Sequence, residues 1–172
     1  ILGSVGDGVY GVDEAGVVTF ANPMALRLLG HADERQVVGK NAHVLFHHAA
    51  EDGHVLAPGE SMLTRAYAAG EPLNGHETVF WGADGEPLPV ELNLLPLAIG
   101  GRREGSVVVF RDVTDRRESE FLRTRQARQA ALRADVAFGL TNGDSLRDFL
   151  QRAMQCIVKH LDGAFARVWT LN

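Results

Sequence analysis

The sequence predicts an α+β fold, with two short strands, several short helices and three further strands in that order, followed by one long helix. Three observations support this order. Residues 1–113 begin with two short apolar stretches around a turn signal, change to a period of two from Gly75 onward, and carry helix caps and glycine stops in between. Residues 114–140 contain no proline and no glycine before Gly139. The pattern indicates one mixed domain with a helical extension.

The first element begins with a glycine-rich hexapeptide, GDGVYG, at residues 6–11. Its Gly-x-Gly-x-x-Gly spacing matches the loop by which dinucleotide-binding proteins hold phosphates. Such a loop follows a strand and opens a helix, because the amides at the helix N-terminus bind the phosphates. Here a turn signal at residues 13–16 lies between two short apolar stretches, which predicts strand, turn and strand. We therefore interpret the glycines as the start of a β-hairpin.

Short helices are predicted in the middle of the domain. Asn22 can cap a helix, Pro23 suits its first position, and Gly30 can end it. The segments that follow are helical turns at 32–46 with a break at Gly39, a polar loop at 47–59, and a helix at 61–69 ended by Gly70.

The second half of the domain is rich in β-forming residues. Residues 77–81 and 88–99 read as two strands separated by a turn. The apolar face of the longer strand consists of Val90, Leu92 and Leu94. Pro96 has no backbone donor, so we expect this strand to bulge or run unpaired there. Residues 105–110 show no alternation, which predicts a strand buried on both faces in the middle of the sheet.

The segment at 114–140 is dense in Arg, Gln, Glu and Ala, which favours a long exposed helix. A heptad assignment gives a seam that is about half apolar, so we expect weak pairing in a coiled-coil homodimer. The apolar residues expected at this seam are Leu122, Leu132 and Val136. Residues 141–172 predict one further helix and one strand, which are too few to close a core and so indicate the start of another domain.

Three stretches resemble a PAS sensor domain. They are GVYGVDEAGVVTFAN at 8–22, WGADGEPLPVELNLLPL at 81–97 and GSVVVFRDVTDRR at 105–117. The last contains an Asp-x-Thr signature of the C-terminal PAC type as Asp112-Val113-Thr114, where the final strand of such a sheet meets a signalling helix. The resemblance implies a PAS fold over residues 1–113, with a five-stranded antiparallel sheet flanked by short helices.

A second resemblance concerns the end of the chain. The stretch LQRAMQCIVKHLDGAFARVWTLN at 150–172 looks like the opening helix and strand of a GAF domain. The implied organisation is a PAS domain at 1–113, a signalling helix at 114–140 and an incomplete GAF domain at 141–172. Proteins with this layout are typically bacterial sensor histidine kinases, so the resemblance implies a two-component system whose kinase or output domain lies on the same chain.

The junction between strand and helix is the candidate signalling site. The Thr114 hydroxyl can cap the helix by accepting from a first-turn amide, and Asp112 can pair with Arg116 or a nearby strand residue. We expect a ligand, redox change or partner to alter packing between sheet and helices and thereby shift this junction. The alternative is a constitutive dimerisation scaffold that binds no ligand.

A ligand pocket and a plain core are both consistent with the side chains predicted between helices and sheet, and the pattern favours core. These side chains are Met24, Leu28, Leu45, Phe46, Leu63, Tyr67, Leu92 and Val109. No catalytic Ser-His-Asp order, His-Glu-x-x-His motif or ATP-binding box occurs, so we expect no enzyme within these residues.

No cofactor is assigned from the sequence. The candidate ligands of a haem or another metal are histidines, namely His43, His47, His48, His54 and His76. Their spacing defines no ligand set, so ordinary loop or surface histidines are favoured over haem or a metal site. A light-oxygen-voltage flavin site would need a cysteine before Gly70, and the lone cysteine is Cys156, which fits an apolar helix face.

The bulk properties exclude several other classes. A net charge of −5 argues against a general nucleic-acid binder. No apolar run has the length of a membrane span, and nothing at the start resembles a signal peptide. A single cysteine agrees with a reducing compartment, so we expect a cytoplasmic protein.

Overall fold

The computed structural model describes residues 6–141, without the side chains of residues 99, 132 and 135–141. Apart from Thr141, the predicted GAF segment lies outside the described residues. The elements in chain order are β1 (Gly8–Val12), β2 (Val18–Ala21), α1 (Pro23–Leu28), a 3₁₀ turn (Glu34–Gln36), α2 (Ala42–Phe46), α3 (Met62–Ala69), β3 (Leu73–Trp81), β4 (Pro87–Ile99), β5 (Arg102–Asp112) and α4 (Thr114–Thr141). No helix among these residues combines the length and apolarity needed to cross a bilayer.

The strands form one five-stranded sheet in the order β2-β1-β5-β4-β3. Every neighbouring pair is antiparallel. The predicted α+β fold with a five-stranded antiparallel sheet and short helices is therefore confirmed. The chain divides into two compact units, residues 1–115 and 116–172.

The glycines of β1 make room for aromatic rings. A methyl group added at Gly8 would overlap the ring of Phe110, and one added at Gly11 would overlap the ring of Phe20. Both glycines lie inside the strand that opens the first hairpin, and no helix follows them directly. Their role is packing, as the hairpin interpretation expects.

The helix caps hold short helices against the sheet. The Asn22 side chain accepts from the backbone amides of Ala25, at 2.7 Å, and Val9, at 3.0 Å, so one residue both caps α1 and binds β1. Ser61 caps α3, and Gly70 ends it in the left-handed conformation at φ +69°. Asn22 and Gly70 are also the residues from which the sequence predicted the start of α1 and the end of α3.

The core lies between the helices and one face of the sheet. Tyr10, Phe80, Leu92 and Leu94 are each 0% exposed there, in one cluster with residues of α1, α2 and α3. Strand β5 occupies the centre of the sheet, as predicted. Its inner face is buried, but on its outer face Val107 and Val109 are only half-buried, so the prediction of full burial on both faces is wrong for the outer face.

Pro96 lies in the part of β4 that extends beyond the end of its pairing with β3. Strand β3 pairs with β4 only as far as Leu94, while β5 continues alongside Pro96 opposite Ser106. A register shift follows between Leu97 and Ala98. The proline therefore lies beyond the paired part of that edge, where its missing donor leaves no ladder bond unmade.

Candidate functional site

The strand–helix junction is short and hydrogen-bonded. Strand β5 ends at Asp112 and α4 begins at Thr114, with the buried Val113 between them. One carboxylate oxygen of Asp112, Oδ1, accepts from the Thr114 amide at 2.8 Å and from the Thr114 hydroxyl at 2.6 Å. The amide of Val113 donates to the carbonyl of Pro89 on β4, at 3.1 Å. The junction is thus bridged across its single linking residue, Val113, which is itself bonded to the sheet.

The Thr114 hydroxyl donates to Asp112. A hydroxyl can donate and accept at once, so its predicted role as the acceptor from an amide of the first turn stays a prediction. The pairing of Asp112 with Arg116 stays a prediction.

The eight predicted pocket residues fall into three groups. The buried core holds Phe46, Leu63, Tyr67 and Leu92. Leu28 and Leu45 pack against it while partly buried, and Met24 is also partly buried. Val109 lies on the opposite face of the sheet, because it alternates with the inward-facing Val108 and Phe110.

A buried polar cluster of His43, His47 and Ser61 lies between α2 and the start of α3. The Nδ1 atoms of the two imidazoles are 3.3 Å apart, and His47 Nδ1 is 3.0 Å from Ser61 Oγ. His43 Nε2 is 3.0 Å from the carbonyl oxygen of Leu56. All three side chains are buried. His43 and His47 are therefore internal residues, whereas the sequence favoured loop or surface positions for them.

The hydrogen bonds place one proton in this cluster. A carbonyl oxygen only accepts, so His43 Nε2 carries a proton and donates to Leu56. Nε2 of His47 is buried and without a partner among the described residues. Burial, aided by the neighbouring His43, lowers the pKa of His47 to about 3. His47 is therefore neutral at physiological pH.

Two tyrosines continue the polar interior next to this cluster. The hydroxyls of Tyr10 on β1 and Tyr67 on α3 are 2.8 Å apart. Burial raises the pKa of both phenols, so both keep their protons. The bond between them joins the sheet to α3 through the middle of the core.

A cleft of about 110 Å³ opens between the β1–β2 turn and helices α2 and α3. We call it the α2–α3 cleft. Its lining residues are Glu14, Ala15, Gly16, Asn41, His43, Thr64, Tyr67 and Ala68. The Thr64 hydroxyl is buried, with no hydrogen-bond partner in the described part of the chain.

The other three candidate histidines are His48, His54 and His76. His48 packs against Trp81, with ring centroids 5.8 Å apart, His54 is exposed, and His76 is half-buried on β3. Within residues 6–141, no three His, Cys, Asp or Glu side chains come together as a metal site. The α2–α3 cleft, which His43 lines, is far too small for a porphyrin.

The sheet order, the helices on one sheet face and the strand–helix junction define a sensory domain of the PAS type. A family model described as PAS fold matches residues 1–113. The chain therefore belongs to the PAS family, and that expectation is confirmed. The GAF, PAC and histidine kinase assignments stay predictions.

Solved structures share this fold. The PAS domain of a protein from Colwellia psychrerythraea is 19% identical, with the match covering 63% of this chain and 87% of that one, at a TM-score of 0.50. A light-oxygen-voltage domain studied with a flavin analogue is 19% identical, covering 72% and 88%, at 0.51. The light-state dimer of the fungal blue-light photoreceptor Vivid is 17% identical, covering 64% and 81%, at 0.50. No curated protein matches the sequence.

Several contacts of the site were not predicted from the sequence. Tyr67 was among the predicted pocket residues, but it lies 57 positions from Tyr10, and nothing in the sequence pairs the two. Ser61 precedes a helix, so its role as a cap can be predicted from the sequence, but its bond to His47 cannot. Arg103, described below, shows no local pattern at all.

Proposed function

We propose that this chain is the sensory PAS module of a bacterial signal-transduction protein, a sensor histidine kinase of a two-component system. It acts by binding rather than by catalysis, and it passes a ligand- or partner-induced change through α4 of a homodimer. The observation that carries this proposal is the junction: one residue separates the central strand β5 from α4, and the Asp112–Thr114 bonds hold the two together.

A chain of contacts supports transmission to this junction. Tyr67 of α3 bonds Tyr10 of β1, and the Tyr10 ring packs on Phe110 of β5 with centroids 6.1 Å apart. Phe110 precedes Asp112 by two residues. Packed interiors respond to a displaced side chain by moving its neighbours, so a shift of α3 reaches the end of β5.

The start of α4 supports a dimer. Phe121 and Leu122 are large apolar side chains that are 67% and 54% exposed. Leu122 belongs to the predicted seam, and Phe121 is its neighbour, which the heptad assignment left out. The side chains of the other predicted seam residues, Leu132 and Val136, lie outside those described. PAS domains commonly dimerise, and a weak seam suits a switch that binding can bias.

Sedimentation velocity of the 172-residue chain tests the dimer. We expect the wild type to sediment as a dimer at high concentration and Leu122→Asp as a monomer, because a charge at the seam has no partner there. Ala127→Asp is the control, since it places the same charge on the opposite side of the heptad. A monomeric wild type, or equal behaviour of the two variants, would refute the seam.

A constitutive scaffold is the second candidate. The density of the core favours it: the rings of Tyr10, Phe46, Phe80 and Phe110 lie 5.1–6.3 Å apart and fill the space between helices and sheet. Native mass spectrometry and an absorption spectrum of the purified chain separate the two. A bound small molecule supports the sensor, whereas an empty, colourless chain leaves both the scaffold and a sensor of peptide partners open.

A further inference from the structure

The α2–α3 cleft contains a buried hydroxyl without a partner. The Thr64 hydroxyl is buried and has no hydrogen-bond partner among the described residues. Thr64 and Tyr67 both line the cleft, and the Tyr67 hydroxyl is bonded to that of Tyr10. A buried hydroxyl without a partner is unfavourable, so the site favours a ligand that bonds to it.

His43 adds no free donor to the cleft. Its Nε2–H is taken by the Leu56 carbonyl, and its Nδ1 faces His47. The lining residues Ala15, Gly16 and Ala68 are small, and Tyr67 is aromatic. The cleft therefore combines one unpaired hydroxyl with small and aromatic residues, and its ~110 Å³ equals about three to four water molecules at ~30 Å³ each.

A cation spans the rim of the cleft. Arg103, near the start of β5, donates from Nε to Glu14 at 3.3 Å and from Nη1 to the carbonyl of Ala68 at 2.9 Å. Glu14 and Ala68 both line the cleft, on the β1–β2 turn and on α3 respectively. Arg103 thus joins three elements at the point where a ligand would enter.

The bond between Arg103 and Glu14 is easily exchanged. The side chains of Arg103 and Glu14 are 37% and 56% exposed, so their ion pair is weak and Glu14 returns to solvent at little cost. A ligand carboxylate can accept two parallel bonds from a guanidinium, which is stronger than the single contact that Glu14 makes.

We propose that the α2–α3 cleft binds a short-chain carboxylate, whose head takes Arg103 from Glu14 and accepts from the Thr64 hydroxyl while its tail lies against the alanine and tyrosine wall. This assignment rests on the proposed sensory function and adds its ligand class. Arg103 lies at one end of β5 and the Asp112 junction at the other, so the strand that binds the ligand is the strand that enters α4.

Isothermal titration calorimetry of the 172-residue chain with sodium propionate tests the proposal, with sodium chloride holding the ionic strength constant. Propionamide has the same size without the charge, so we expect it to bind at least about tenfold more weakly. Arg103→Gln should weaken propionate binding about tenfold or more, and Thr64→Val about threefold to tenfold. Arg102→Gln removes the neighbouring exposed charge and should leave the affinity unchanged.

Several outcomes would overturn the carboxylate assignment. They are equal binding of propionate and propionamide, unchanged affinity in Arg103→Gln, or no binding by the wild type. Thr64→Val preserves side-chain shape, so it keeps the test valid if Arg103→Gln folds poorly. A different molecule found by native mass spectrometry would reject the carboxylate and keep the sensor, whereas loss of the dimer would reject transmission and leave the binding result standing.

Discussion

At the scale of single residues, the burial of His47 makes the stability of the fold depend on pH. Its folded pKa of about 3 lies below the unfolded value of 6.5, so the unfolded chain binds a proton between these values and the folded chain does not. The contribution of His47 to the free energy of unfolding is largest above pH 6.5 and decreases as the pH falls toward 3. The ring contacts with Tyr67 and Phe80, at 6.0 and 6.2 Å, keep water away from it.

We therefore expect the free energy of unfolding, measured by urea denaturation, to fall by up to about 1.4 kcal/mol per pH unit below pH 6.5 on account of His47. His47→Gln should flatten this slope by that amount. His54→Gln, at an exposed histidine, should leave the slope as in the wild type. Equal slopes for His47→Gln and the wild type would show that His47 titrates normally in the folded chain.

Ser61 and Thr64 allow a comparison of a satisfied and an unsatisfied hydroxyl. Ser61 Oγ accepts from the Thr64 amide and contacts His47, so Ser61→Ala should lower the free energy of unfolding by about 1–3 kcal/mol. Thr64→Val removes a buried hydroxyl without a partner in the described residues and should raise it by about 1 kcal/mol. Thermal and urea denaturation measure both, and a destabilised Thr64→Val would mean that this hydroxyl has a partner.

Gly8 tests the packing role of the glycine motif. Gly8→Ala places a methyl group on the ring of Phe110 and should destabilise the fold by about 1–3 kcal/mol. Gly59→Ala is the control, because a methyl group there meets nothing within 4 Å and should change stability by less than about 0.5 kcal/mol. Urea denaturation compares them, and a neutral Gly8→Ala would contradict the overlap.

At the scale of elements, the junction between β5 and α4 determines whether strand and helix move together. A double-mutant cycle of Asp112→Ala and Thr114→Val measures their coupling. We expect a coupling energy of about 0.5–1 kcal/mol in urea denaturation, since Asp112 accepts two bonds from Thr114 and the cycle removes the hydroxyl one. Additivity within about 0.3 kcal/mol would show that the hydroxyl bond contributes nothing to the tie.

Element boundaries followed local signals closely where a cap was present. Asn22, Pro23 and Gly30 predicted α1, and Ser61 and Gly70 predicted α3, because a cap satisfies orphan amides within its own few residues. The outer face of β5 was predicted less well. A run of valines predicts an apolar strand, but it does not indicate whether both faces of that strand are covered.

At the scale of the whole molecule, dimerisation through α4 should depend on concentration. The helix is poorly amphipathic in sequence, so pairing is expected to add to its helicity. Far-UV circular dichroism of the wild type should show more helix at high than at low protein concentration, and Leu122→Asp should remove that difference. Ala127→Asp should retain it, and a concentration-independent wild-type spectrum would argue for a monomer.

The sequence by itself determined the order of the elements, the caps of the short helices and the inward face of β4, because these depend on periodicity and on residues close together in the chain. The resemblance of three of its stretches also implied the PAS family, which the match of the family model confirms. The tertiary structure alone decided which polar groups meet. His47 with Ser61, Tyr10 with Tyr67, and Arg103 with Glu14 are brought together by sheet pairing and helix packing over separations of 14, 57 and 89 residues. No local pattern encodes such distances, so the α2–α3 cleft and the donors around it emerge only when the chain is folded.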